Sequence, residues 1–144
     1  MSKLYYPVGL DLEGRPVLVV GGGKVAEGKV DQLVECEAEI RLVAPEATER
    51  LVELAAAGRL AWSRRAYRPA DVDGAWIVIA AADDRAVNAA VAVDARAAGR
   101  LVNAVDDVPN CDFIAMSILR RGDLQIAVST GGGSAIAARN RSAS

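Results

Sequence analysis

Apolar positions along this chain follow two patterns in turn. Residues 15–20, RPVLVV, form a short, continuous, β-branched run, the pattern of a strand buried on both faces of a parallel sheet. Three glycines end it. From 24 to 37 the apolar residues Ala26, Val30, Leu33 and Val34 recur at helical spacing, with Glu27, Lys29, Asp31 and Glu35 elsewhere, which predicts an amphipathic helix. The alternation then repeats. Residues 39–44 read as a strand, 46–57 as a helix and 60–67 as a weaker strand, followed by a buried strand at 76–82 (WIVIAAA), an alanine-rich helix at 83–98 and a strand at 101–105. Strands separated by helices of this length imply right-handed βαβ crossovers and a parallel sheet covered on both faces. The predicted architecture is α/β, doubly wound, with residues 1–108 as one domain.

After Pro109 the character changes. Residues 113–119 are apolar, 120–123 (RRGD) read as a turn and 124–128 as a strand, so a hairpin is expected. A glycine cluster at 131–133 precedes residues 134–139, which have helical composition, and a polar end. Residues 109–144 therefore read as the start of a smaller region that looks unfinished as a folded unit.

Composition narrows the function. The 144 residues suffice for one ordinary domain and a short appendage, burying roughly 70% of the unfolded chain's surface. No apolar run reaches the roughly 18 residues of a membrane span, and the opening MSKLYY lacks a secretory signal's apolar core, so a soluble, cytoplasmic protein is expected. A net charge of -2 gives no field that favours nucleic acid or an anionic membrane, which leaves a small molecule as the expected partner. The two cysteines, Cys36 and Cys111, match no CxxC spacing, and the chain contains no histidine, so no resident metal is expected. Proton transfer falls to carboxylates, Lys, Tyr, Cys or water.

Gly21-Gly22-Gly23-Lys24-Val25-Ala26 fits G-x-G-x-x-A, the small-residue form of the dinucleotide fingerprint, between a buried strand and an amphipathic helix. Gly21 permits the sharp turn out of the strand, Gly23 leaves room for a diphosphate, and Ala26 lets the helix pack close to the sheet. The diphosphate would rest on free amides at the positive end of the helix dipole. The domain is thus read as a Rossmann fold that binds a nicotinamide dinucleotide. The second strand ends in Val43-Ala44-Pro45 rather than the usual ribose-binding carboxylate, and Glu46 is the nearest acid. Two roles stay open for it: ribose recognition together with backbone around Pro45, or a place in the first turn of the next helix.

Ligands of a doubly wound sheet bind outside the carboxyl ends of its strands, which here collects residues 21–24, 44–46, 81–84 and 103–107. The small Ala80-Ala81-Ala82 stretch suits close approach by the nicotinamide half, or alternatively tight helix packing. Asp106 and Asp107 are adjacent, so their side chains diverge and at most one is catalytic; a turn or capping aspartate is the alternative.

YPVGLDL, VVGGGKVAEGK, LVAPE, IAAADD, VNAVDD, CDFIAMSILRRG and AVSTGGGS, in this order, resemble the landmarks of the siroheme-pathway precorrin-2 dehydrogenases, many of which are also sirohydrochlorin ferrochelatases. The resemblance implies NAD-dependent oxidation of precorrin-2 to sirohydrochlorin, a homodimer, and ferrous iron as a second substrate. It makes Asp106 the catalytic residue, taking the proton that accompanies hydride loss or a pyrrole proton during iron insertion. It carries cofactor contacts onto Gly23, Lys24, Val25, Pro45 and Glu46, to which the fingerprint adds Gly21 and the strand-end rim adds Ala82 and Asn103. Substrate contacts fall on Ser129 and Thr130, with Arg120 and Arg121, alongside Arg139 and Arg141, as cations for the tetrapyrrole carboxylates. The chain departs from the family where Met116, Asp123 and Ala135 replace common prolines, and it stops near the start of the family's helical dimerisation region. The rival class is a nucleotide-sensing module that binds NAD(H) without chemistry; VNAVDD and STGGG together argue against it.

Overall fold

The computed structural model describes residues 3–128. These fall into two compact units, residues 10–113 and a second that gathers residues 3–9 with 114–128.

In the larger unit, β1 (Pro16–Val20), α1 (Lys24–Glu35), β2 (Glu39–Val43), α2 (Glu49–Ala56) and β3 (Ala61–Ser63) are followed by a 3-10 turn at Pro69–Val72, β4 (Ile77–Ala80), α3 (Arg85–Ala97), β5 (Leu101–Ala104) and a second 3-10 turn at Val108–Asn110. The five strands form one parallel sheet in the order β3-β2-β1-β4-β5. This is the doubly wound Rossmann arrangement. Alternate residues of each strand feed opposite layers: Val17, Val19, Ile40, Leu42, Ile77 and Ile79 join Ala26, Val30, Leu33, Leu51 and Leu54 of α1 and α2. Leu18, Val20, Val43, Val78, Ala80 and Val102 join Val91, Ala92 and Ala95 of α3. Both faces are covered, so the strand runs are apolar without alternation. Each fully buried valine or leucine contributes about 1.5–3 kcal/mol.

Three of the element boundaries that differ from the expectation have a distinct local cause. α2 begins at Glu49 rather than 46, because Thr48 caps it: the Thr48 hydroxyl accepts from the Leu51 N–H at 3.3 Å and donates to Glu27 at 2.8 Å. β3 covers only Ala61–Ser63 of the expected 60–67; beyond it Arg65 turns to the 3-10 turn and forms a two-pronged pair with Asp71 at 2.7 and 2.9 Å. α1 ends at Glu35, where Glu37 takes a left-handed conformation (φ 58°) and the Ala38 N–H reaches back to the Leu33 carbonyl at 3.2 Å.

The smaller unit contains an antiparallel hairpin of β6 (Ser117–Arg121) and β7 (Leu124–Val128), joined across Gly122 and Asp123. Arg120 and Arg121 therefore lie within β6, not in the turn, because Gly122 (φ 56°) supplies the left-handed residue a two-residue connection needs. Ile118, Leu119, Leu124 and Ile126 are exposed. Among the described residues, no helix is long and apolar enough to cross a membrane.

Candidate functional site

The chain moves from β3, at one side of β1, to β4, at the other, so a crevice opens at the carboxyl ends of β1 and its neighbours. The three glycines that fill it differ in what they serve. Gly21 has φ 125°, and a Cβ there would overlap the Ala81 carbonyl. One on Gly22 would overlap the Glu46 carbonyl oxygen, and the Gly22 oxygen accepts from the Thr48 N–H at 2.9 Å. Gly23 is unlike both. A Cβ on it would meet nothing nearer than a carboxylate oxygen of Asp83 at 3.7 Å, an ordinary contact. The fold demands the first two glycines, whereas the third leaves open space in front of α1. Gly23 is also the N-cap of α1 and provides no side-chain cap, so the first-turn amides face that space without one.

A cavity of about 610 Å³ begins there, within the usual range for a small-molecule site. Gly21, Gly23, Pro45, Glu46 and Ala82 all line it. Since α2 starts only at Glu49, Glu46 stands on the exposed rim of the cavity and is not part of the helix's first turn. Asp83 and Asp84 add two further carboxylates to the wall, and Asp84 caps α3 by accepting from the Ala86 N–H at 2.8 Å. No lysine or arginine lines this cavity among the described residues, so its positive element is the N-terminus of α1.

Two residues that shape the wall carry no motif in the sequence. The buried Asn88 side chain accepts from the Ala82 N–H and donates to the Ala82 carbonyl, both at 2.9 Å, clamping the loop after β4. Its one signal is a polar residue on the stripe formed by Val91, Ala92 and Ala95 of α3. Tyr67 lines the cavity and donates to Asp94 at 2.8 Å; burial, then that bond, pushes its phenol well above the usual range. No periodicity marks it, because it lies in a loop. Behind the glycine turn, the Thr48 hydroxyl bond holds the Glu27 carboxyl below its ordinary value.

Lys24, Val25, Asn103 and Asp106 do not line this cavity. The Lys24 ammonium sits 3.4 Å from Glu27, and Val25 is exposed. Asn103 is buried and donates to the Phe113 carbonyl at 2.9 Å, tying down the chain beyond β5. Because Ala80 is paired with Ala104, Asp106 follows on the same rim, beside β4. It is exposed and left-handed (φ 59°), a conformation aspartate tolerates better than most residues. Asp107 is engaged locally, its N–H donating to Ala104 at 3.2 Å and its carboxylate accepting from Asn110 at 2.6 Å. Of the two adjacent acids, the structure commits Asp107 to the turn. The Cys111 thiol donates to the Ala104 and Asp107 carbonyls at 3.1 and 3.3 Å, and burial pushes it up. Arg120 and Arg121 belong to the smaller unit; Ser129, Thr130, the 131–133 glycines, Ala135, Arg139 and Arg141 lie outside the described residues.

Residues 8–117 match the model of an NAD(P)-binding family. The chain is 45% identical over 135 residues to siroheme synthase 1 of Serratia proteamaculans and 41% identical to siroheme synthase of Actinobacillus pleuropneumoniae, covering 94% of this chain in each case. It spans only 28% of the length of those curated relatives. A solved structure titled SirC, precorrin-2 dehydrogenase, superimposes with a TM-score of 0.87 at 31% identity, covering 96% of this chain and 68% of the other.

Proposed function

This chain belongs to the precorrin-2 dehydrogenase family of NAD(P)-binding proteins, and we propose that it oxidises precorrin-2 to sirohydrochlorin with NAD as acceptor. The observation that carries the reading is Gly23: the protein's own packing has no need of a glycine there, and a diphosphate lying against the α1 amides does. NAD bound at this turn supplies the hydride acceptor, so precorrin-2 and NAD+ become sirohydrochlorin, NADH and a proton.

The chain's own residues do the rest. Gly21 and Gly23, with the backbone of Lys24 and Val25, hold the diphosphate. Pro45 and Glu46 meet the adenosine ribose, and Ala82, fixed by Asn88, leaves room beside β4. Asn103 acts from behind by holding Phe113. Asp106 accepts the departing proton on the exposed rim. Ser129 and Thr130, which lie outside the described residues, are the substrate contacts that the family resemblance implies, and Arg120 and Arg121 are the cations for the tetrapyrrole carboxylates. Ferrous iron is the second substrate, with Asp106 taking pyrrole protons as it enters sirohydrochlorin.

The active species is a homodimer, a reading supported by a hairpin that leaves Ile118, Leu119, Leu124 and Ile126 exposed, since two strands are marginal without a partner. Sedimentation as a monomer at all concentrations would remove this part. The unpaired Cys36 and Cys111 fit the reducing cytoplasm, which fractionation of the source cells tests.

Anaerobic mixing of the protein with NAD+ and precorrin-2 is expected to give NADH and the sirohydrochlorin spectrum in equal amounts. Asp106→Asn, which keeps the left-handed backbone, should slow this about 100-fold with an unchanged circular dichroism spectrum. A folded dimer that binds NAD+ yet forms no NADH would refute the reading and favour the sensing module. Sirohydrochlorin left unchanged by ferrous ion would remove the chelatase alone.

A further inference from the structure

Tyr67 takes no part in moving the hydride or the proton, yet the chain holds it at several points. It lies in the crossover from β3 to β4, residues 64–76, which contains only the 3-10 turn Pro69–Val72 where parallel strands are usually joined by an α-helix. The Asp71 carboxylate ties this loop on both sides of Tyr67, accepting from the Arg65 guanidinium at 2.7 and 2.9 Å and from the Arg68 N–H at 2.8 Å. Arg41 of β2 fastens the end of the turn by donating to the Asp73 carbonyl at 3.1 Å. The phenol itself donates to Asp94 of α3 at 2.8 Å.

The ring so fixed meets two surroundings. With Val87 it packs against the buried layer that contains Val20, Val43 and Ala80, and with Val87 it also lines the cavity in front of Gly23. Val43, Pro45, Ala66 and Ala82 line the same cavity, so apart from the glycine turn and the rim carboxylates its wall is chiefly apolar. The cavity takes in the ends of β1, β2 and β4, but neither Asn103 nor Asp106. NAD has two halves joined at the diphosphate. The nicotinamide has to meet the macrocycle beside Asp106, outside this cavity, so the half inside it is adenosine, whose base is flat, neutral and apolar on both faces.

We propose that Tyr67 is the seat of the adenine base, an aromatic ring fixed in advance by Asp94 and by the Asp71 loop, against which the base stacks. The inference rests on the dehydrogenase reading for which half of NAD the cavity takes. Because the ring is already ordered, stacking on it requires little further loss of side-chain freedom. Tyr67 touches no reacting atom, so its loss costs cofactor binding and spares turnover.

Tyr67→Leu keeps an apolar side chain against the α3 layer and removes the ring. It should weaken ADP binding about tenfold by calorimetry and raise KM for NAD+ by a similar factor, with kcat within about twofold. Tyr67→Phe, which keeps the ring and loses the bond to Asp94, should bind ADP within about threefold of wild type. Unchanged ADP affinity in Tyr67→Leu, or a fall in kcat as large as the rise in KM, would overturn the proposal. A second measurement uses only the wild-type protein: with ADP bound, NMR should show nuclear Overhauser contacts between the adenine ring protons and the Tyr67 ring. Bound ADP without those contacts, or no binding of ADP at all, overturns it as well. A wild-type protein that forms no NADH would sink the dehydrogenase reading, while the ADP measurements still decide whether adenine sits on Tyr67.

Discussion

At the scale of single residues, three consecutive glycines have three different causes. Gly21 is required by its backbone conformation, Gly22 by the Glu46 carbonyl it touches, and Gly23 by nothing within the chain. Gly23→Ala is therefore expected to leave the melting temperature nearly unchanged, within about 1 kcal/mol of stability, while weakening NAD+ binding at least tenfold. Gly22→Ala should do the reverse first, lowering stability by about 2–4 kcal/mol through the forced displacement of the α2 approach. Calorimetry and a nucleotide titration on both variants separate the two causes; equal binding by Gly23→Ala and wild type would be evidence against the diphosphate site. The fingerprint was legible as spacing, but the division of labour within it was not. Whether a Cβ fits depends on residues far along the chain, such as Glu46 and Ala81.

The helices show how an element's end records local chemistry. α2 and α3 finish with a glycine in the left-handed position, Gly58 (φ 74°) and Gly99 (φ 72°), and each is followed by an N–H that reaches back five residues. α1 finishes the same way but with Glu37 (φ 58°), a side chain in a conformation that disfavours one. Glu37→Gly is expected to stabilise the protein by about 0.5–1 kcal/mol, because relief of left-handed strain exceeds the added chain entropy. A denaturant midpoint that falls instead would contradict this. Helix existence was readable from apolar spacing. The start of α2 was not, since Thr48 becomes the cap only when Gly22 and Glu27, far back in the chain, come to meet it.

For the molecule as a whole, stability should fall at both ends of the pH scale for identifiable reasons. Asp71 is held below its ordinary value chiefly by the Arg65 guanidinium, so its contribution is complete above the unfolded value of about 3.9 and is lost as pH falls through the folded one. Tyr67 is held up mainly by burial; its contribution is complete below about pH 10 and declines as pH rises towards the folded value. Lys29 works in the opposite sense to Tyr67, its burial cost fading as the ammonium deprotonates on the alkaline side. Melting temperature against pH should therefore show an acid limb flattened by Asp71→Asn and an alkaline limb flattened by Tyr67→Phe. An acid limb identical in Asp71→Asn and wild type would remove this account.

The sequence by itself determined the layered α/β plan, because apolar runs and helical stripes are local patterns and two covered faces leave a strand no polar side. It also determined the dinucleotide turn, whose residues are contiguous. Tertiary structure alone decided that Glu46 stands on the rim, that Asn88 clamps Ala82, and that Asp107 serves the turn while Asp106 is left exposed. These outcomes are fixed by packing and by the need of buried polar groups for partners across turns and loops, where no helical or strand period carries a trace of them.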